Sequence, residues 1–259
     1  MRFGAKLGFG VGIAFLAHIV GCSTQETTKK EYTSRERAQL IVGIANGALV
    51  EGDPTGALQN LVRAEKEDPT LPELFHSKAL AYFAKHDLEN AIVASRRALQ
   101  LQPDFSAANN TLGKLLIDAG RFEEAETVLM KAAKDSLFRD AYKAWTSLGV
   151  LKYRQNEFSA AEVFLGRAIQ ESPTQACIAF YYRGHIQLRR KKFGDAVSDY
   201  SNATKKRCAM FGEADLALGM AYQHNRQYES ARKTFLEVQK RYPNTKLAEQ
   251  AIDHLRYLP

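Results

Sequence analysis

Three cysteines and six histidines are the residues of this chain best suited to covalent or metal chemistry. The histidines (His18, His76, His86, His185, His224 and His254) are scattered, and none pairs with another His or with Cys at metal-ligand spacing. Beyond residue 22 there is no His-Glu-x-x-His, Cys-x-x-Cys, phosphate-binding Gly-rich loop or Gly-x-Ser-x-Gly turn. The one Gly-rich stretch, Gly8-Phe9-Gly10-Val11-Gly12, lies inside an apolar run with no strand before it. The chain is therefore expected to carry no catalytic residue, no metal, no cofactor and no small-molecule substrate. What remains is the chemistry of Cys22, Cys177 and Cys208, an odd number that leaves one thiol outside any internal disulfide.

Cys22 stands where an apolar run ends. Arg2 and Lys6 precede a 14-residue apolar stretch, Leu7 to Val20. A bilayer span needs roughly 20 residues, so this stretch reads as the core of a secretory signal peptide. Its close, Ile19-Val20-Gly21-Cys22, resembles the bacterial lipobox. That resemblance implies cleavage after residue 21 and lipidation of Cys22, with palmitate among its acyl chains. The plainer reading is an ordinary cleaved signal with an incidental cysteine. Ser23, rather than Asp, follows Cys22, which leans towards the outer membrane and its periplasmic face. Residues 22–34 are then a lipidated polar tether that spans at most about 40 Å.

The elements that follow are set by a repeat. Ala57, Ala91, Ala125, Ala161, Ala196 and Ala231 recur every 34 to 36 residues. Small or medium apolar residues follow each by seven: Ala64, Ala98, Ala132, Ala168, Ala203 and Val238. Twelve residues before each alanine lie Ala45, Ala79, Gly113, Gly149, Gly184 and Gly219; Pro69, Pro103, Pro173 and Pro243 lie twelve after. The small residues allow two helices to approach closely, and the proline ends the second helix. This pattern resembles the tetratricopeptide repeat (TPR). It implies an all-α, right-handed superhelical solenoid of six helix-turn-helix repeats at 38–71, 72–105, 106–139, 142–175, 177–210 and 212–245. Residues 246–259 carry Leu247, Ala251, Ile252 and Leu255 at helical spacing, so a capping helix is expected to cover the last repeat. Repeat three has Leu137 in place of the proline.

The full chain carries a net charge of +7, which falls to +5 when Arg2 and Lys6 leave with residues 1–21. No dense basic stripe is present, so nucleic acid is not an expected partner. A TPR array binds protein segments in its concave face, lined by positions 2, 5, 9 and 12 of each first helix. The expected groove residues are Val42, Asn46, Leu49, Leu80, Phe83, Asn110, Lys114, Thr146, Tyr153, Tyr181, His185 and Leu188, with Arg154 and Arg189 beside them. The apolar ones have an alternative role in packing between repeats. Arg189-Arg190-Lys191-Lys192 and Lys205-Lys206-Arg207 are either solvated runs or contacts for anionic surfaces.

Cys177 opens the first helix of repeat five, and Cys208 stands where other repeats carry the closing proline. Antiparallel helices bring these two ends to one edge, so a Cys177–Cys208 disulfide is expected; two separate thiols are the alternative. The periplasm would permit the bond.

A more specific match runs from Asn109 to Pro173. Asn109-Asn110-x-Leu-Gly, Gly120-Arg121-Phe122-Glu123-Glu124-Ala125, Ala132-x-x-Asp135-x-x-Phe138 and Ala144-Trp145-x-x-Leu148-Gly149 resemble the middle repeats of the type IV pilus biogenesis pilotin lipoproteins (PilF/PilW/Tgl type). That family usually has Pro where Ser136 stands and Cys near Val150. The resemblance implies a lipid-anchored assembly factor that binds secretin subunits and promotes their outer-membrane localisation and multimerisation. The alternative is another TPR lipoprotein role, as a scaffold for outer-membrane protein assembly or an adaptor for a periplasmic hydrolase. The stretch Phe235-Leu236-x-Val238-x-x-Arg241-Tyr242-Pro243-Asn244 resembles such envelope scaffolds.

Overall fold

A computed structural model describes residues 31–205, 208 and 211–259. Over the described residues the chain is all helix, with thirteen helices and no strand. They are α1 (Ser34–Val50), α2 (Pro54–Glu67), α3 (Pro72–Ala84), α4 (Leu88–Leu101), α5 (Ser106–Asp118), α6 (Phe122–Lys134), α7 (Ala141–Arg154), α8 (Phe158–Glu171), α9 (Cys177–Arg189), α10 (Phe193–Ala203), α11 (Gly212–His224), α12 (Tyr228–Arg241) and α13 (Lys246–Arg256). The first twelve form six consecutive pairs, and α13 packs on the last pair. Each helix packs substantially on the next one or two in the chain, so this is a TPR-type solenoid whose core is built between neighbours. None of the described helices is long and apolar enough to cross a membrane.

The solenoid begins earlier than the repeat spacing implies. Thr33 and Glu36 form a capping box: Thr33 Oγ1 accepts from the Glu36 amide at 3.2 Å, and Glu36 Oε2 accepts from the Thr33 amide at 2.8 Å. The helix therefore starts at Ser34, which the tether was expected to include.

Every pair turns in the same way. The residue after each first helix's C-cap has positive φ: Gly52, His86, Gly120, Asn156, Lys191 and Arg226, at 59° to 81°. The next amide reaches back five residues to a helix carbonyl, as in Asp53 to Ala48, Asp87 to Tyr82 and Arg121 to Leu116, at 2.8–2.9 Å. This is the Schellman closure. That donor residue is also the N-cap of the second helix, so the turn has no slack.

Close helix approach is visible at the small position. A Cβ added to Gly113, Gly149, Gly184 or Gly219 would come within 3.0 Å of Leu129, Leu165, Tyr200 or Phe235, respectively. The facing large residues are all fully buried. In repeat five the core also holds a charge pair. Arg183 Nε and Nη2 donate to both oxygens of buried Asp199 at 2.9 and 2.6 Å.

Candidate protein-binding groove

Counting from residues 38, 72, 106, 142, 177 and 212, the groove positions do not behave alike. In repeats two and three position 5 bonds to the following repeat. His76 Nε2 lies 3.0 Å from Thr111 Oγ1, and Asn110 Oδ1 accepts from Ser147 Oγ at 3.3 Å; both contacts run from position 5 to position 6 of the next repeat. Val42, at position 5 of repeat one, is only 5% exposed and belongs to the core with Leu61, Leu71 and Leu74. Val42 is thus corrected from groove to core. Its small apolar side chain fills space that polar side chains elsewhere bridge with hydrogen bonds. Position 9 is open in the first three repeats: Asn46, Leu80 and Lys114 are exposed. Asn46 accepts from Ser77 Oγ at 2.8 Å.

In repeats one and two the exposed apolar residues on this face are Leu80 and Phe83, at 37% and 41%, while Leu49 is half-buried against the amino-terminal core.

The middle of the solenoid holds a cleft of about 620 Å³. Asn110, Lys114 and Tyr181 line it, with Thr146 and Arg154. Thr146 donates to the Tyr142 carbonyl at 2.7 Å. Arg154 is fixed to Asp118 at 3.0 Å and to the Ile117 carbonyl at 3.2 Å. Tyr153 and His185 were expected in this groove but do not line the cleft. They are half-buried in an aromatic cluster beside it: His185 meets Tyr181 edge-on at 4.4 Å and Tyr200 at 5.5 Å, and Tyr153 meets Tyr182 at 5.0 Å. Edge-to-face packing satisfies the ring quadrupoles and covers the rings at once. Burial pushes the pKa of the His185 imidazole below its ordinary value. Burial also pushes the Tyr181 phenol up to about 12, with further contributions from Tyr182 and Glu213.

Further lining residues were not named from sequence. Lys143, Ile178 and Glu213 all occupy position 2 of successive repeats and all line the cleft, so helical spacing alone could have found them. Tyr182 and Phe211 carried no such signal. Phe211 lies between repeats, with its ring 4.9 Å from Tyr181. Three residues away, Cys208 is bonded to Cys177 with Cα atoms 5.5 Å apart. Cys22 lies outside the described residues, as do Lys206 and Arg207. Arg189 caps the Phe158 ring at 4.6 Å and Arg190 pairs with Glu162, so half of that basic run is engaged. The described residues include no group of three or more His, Cys, Asp or Glu able to hold a metal.

Two tetratricopeptide-repeat family models match the chain, at residues 82–148 and 213–245. In sequence, the chain is similar to the type IV pilus assembly protein PilF of Pseudomonas aeruginosa, 21% identical over 164 residues. That alignment covers 62% of this chain and 65% of PilF, a little under two thirds of the relative's length. In fold, it is similar to PilW, described as a widely conserved type IV pilus biogenesis factor, with TM-score 0.73 and 20% identity over 84% of this chain and 99% of PilW. The crystal structure of Pseudomonas aeruginosa PilF gives 0.72 and 16%, over 86% of this chain and 100% of that one. An equal TM-score of 0.72 relates it to the Cut9–Hcn1 structure of the APC/C, where it covers 85% of this chain and 42% of that one. The superhelix is thus shared widely among repeat proteins, and its shape alone does not assign a role.

Proposed function

We propose that this tetratricopeptide-repeat protein, related in sequence to PilF and in fold to PilF and PilW, is a pilotin. In this reading it is a non-enzymatic factor that binds secretin subunits of a type IV pilus system and promotes their multimerisation in the outer membrane. The observation that carries the reading is the sequence relation to PilF over 164 residues, because a shared superhelix alone would not separate this role from other repeat proteins. The cleft supports it: apolar and aromatic walls with a few polar groups suit a protein segment.

The mechanism is non-covalent. Acyl chains on Cys22 hold the solenoid at the periplasmic face of the outer membrane, each buried CH₂ contributing about 0.8 kcal/mol. Residues 23–33 let it reach subunits arriving from the periplasm, and the groove raises their local concentration near the inner leaflet. Deleting the gene should remove heat-stable secretin multimers and pili while monomeric secretin persists. Normal multimers in the deletion strain would refute the role. Palmitate should label Cys22, and Cys22→Ala should release the protein from membranes; an unlabelled protein that stays membrane-bound would refute the anchor.

A further inference from the structure

The cleft in repeats three to six is electrostatically bipolar, and neither pole has a partner among the described residues. At one end Lys114 is exposed and makes no hydrogen bond or ion pair with any described residue. Its neighbour one turn earlier, Asn110, is held through its Oδ1 by Ser147, and its amide N–H groups have no partner among the described residues. The other cations of the cleft are committed: Lys143 to Asp140 at 2.6 Å and Arg154 to Asp118 at 3.0 Å. At the opposite end Glu213 is exposed in the first turn of α11 and has no ion-pair or hydrogen-bond partner among the described residues. Between the poles, beside the engaged Lys143 and Arg154, the wall carries apolar and aromatic side chains: Val150, Ile178, Tyr181, Tyr182 and Phe211. The order in space follows the order in the chain, because each helix packs on its immediate successors.

We propose that this cleft selects a partner segment that carries an acidic side chain opposite Lys114, an aromatic or branched aliphatic side chain against Ile178, Tyr181 and Phe211, and a basic side chain opposite Glu213. The inference rests on reading the groove as a protein-binding surface and adds the chemistry of what it holds. The acid accepts from Lys114 Nζ and the Asn110 amide, donors with no partner among the described residues. The base meets Glu213 beside the aromatic faces of Tyr181 and Phe211, where a cation is also favoured by the ring quadrupoles. Opposite charges at the two ends set the direction in which the segment lies, and a reversed segment places like charges together.

An array of N-acetylated, C-amidated peptides tests this with the detergent-solubilised full chain. The array varies the first position among acid, neutral and base, the centre between aromatic and alanine, and the last among acid, neutral and base, in both chain directions. Fluorescence anisotropy reads the affinities. The acid–aromatic–base arrangement should bind tightest in one direction. Each matched charge should add roughly two- to fivefold, the size of an exposed ion pair, and added salt should shrink that gain. Lys114→Glu should switch the preference at the acidic position to a base, and Glu213→Lys should switch the basic position to an acid. Both residues are exposed, and circular dichroism checks that the variants fold. Charge preferences that survive both reversals overturn the proposal. So does affinity without charge preference. A deletion strain with normal secretin multimers would refute the pilus role and leave the peptide selection standing; lost multimers with no charge selection would do the reverse.

Discussion

The imidazole of His76 sits between α3 and α5, bonded to Thr111 and edge-on to Phe105 at 5.2 Å. Burial pushes its pKa from 6.5 down to about 4. The unfolded chain therefore binds a proton that the folded chain refuses between those two values. The stability this residue contributes is whole above pH 6.5 and is lost as pH falls towards 4, amounting to at most about 3 kcal/mol. Burial also pushes His185 and His254 down, with the same sign. Urea midpoints should fall between pH 7 and pH 4.5, and His76→Gln should flatten that fall. Parallel profiles for the two proteins would show that His76 is not the titrating group.

At the scale of the element, the six Schellman turns use glycine only twice. His86, Asn156, Lys191 and Arg226 hold the left-handed conformation with a Cβ present, at a cost of roughly 1–2 kcal/mol for an L-residue, less for Asn. Arg226→Gly should raise stability by about 1 kcal/mol, after the extra backbone entropy of glycine is subtracted. Gly120→Ala should lower it by a similar amount. Chemical denaturation reads both, and a destabilised Arg226→Gly would mean that the side chain contributes more than the turn costs. The same scale contains the Cys177–Cys208 bond. It links residues 31 apart in sequence across α9 and α10, worth about 3–4 kcal/mol on the chain-entropy model. The denatured, unreduced protein should show no free thiol at these two positions, and Cys208→Ser should lower the melting temperature. Two free thiols would rule out the bond in solution.

Over the whole molecule, stability runs between neighbours, so the ends matter most. At the amino-terminal end Leu40 and Ile44 are 53% and 61% exposed, whereas their equivalents in later repeats, Leu74, Ala108 and Ala144 for the first and Leu112 and Leu148 for the second, are buried. At the other end α13 covers the last pair: Leu247, Ala251, Leu255 and Leu258 join Phe235 and Val238 in one cluster. Truncation after Pro243 should unfold repeat six first. Hydrogen exchange in α11 and α12 should rise by more than tenfold, while α3 to α6 stay protected. Uniform loss of protection would mean that the solenoid unfolds as one unit.

The repeat number, the paired helices and the capping helix were legible in the sequence, because they follow from local spacing. Small residues recur where two helices must touch, and Gly149 cannot carry a Cβ against Leu165. Position 2 of each first helix was legible too, since helical spacing puts Lys143, Ile178 and Glu213 on one line. Which groove positions stay open was not. Val42 and Asn110 hold the same repeat position, yet one is core and the other borders the cleft. That difference depends on what the next repeat brings against them, such as Ser147 beside Asn110. The placement of Phe211 against Tyr181 likewise belongs to the fold, because no periodicity reaches a residue between repeats. Local spacing fixes which residues share a helix face; only packing between neighbouring repeats decides which of those faces meets water.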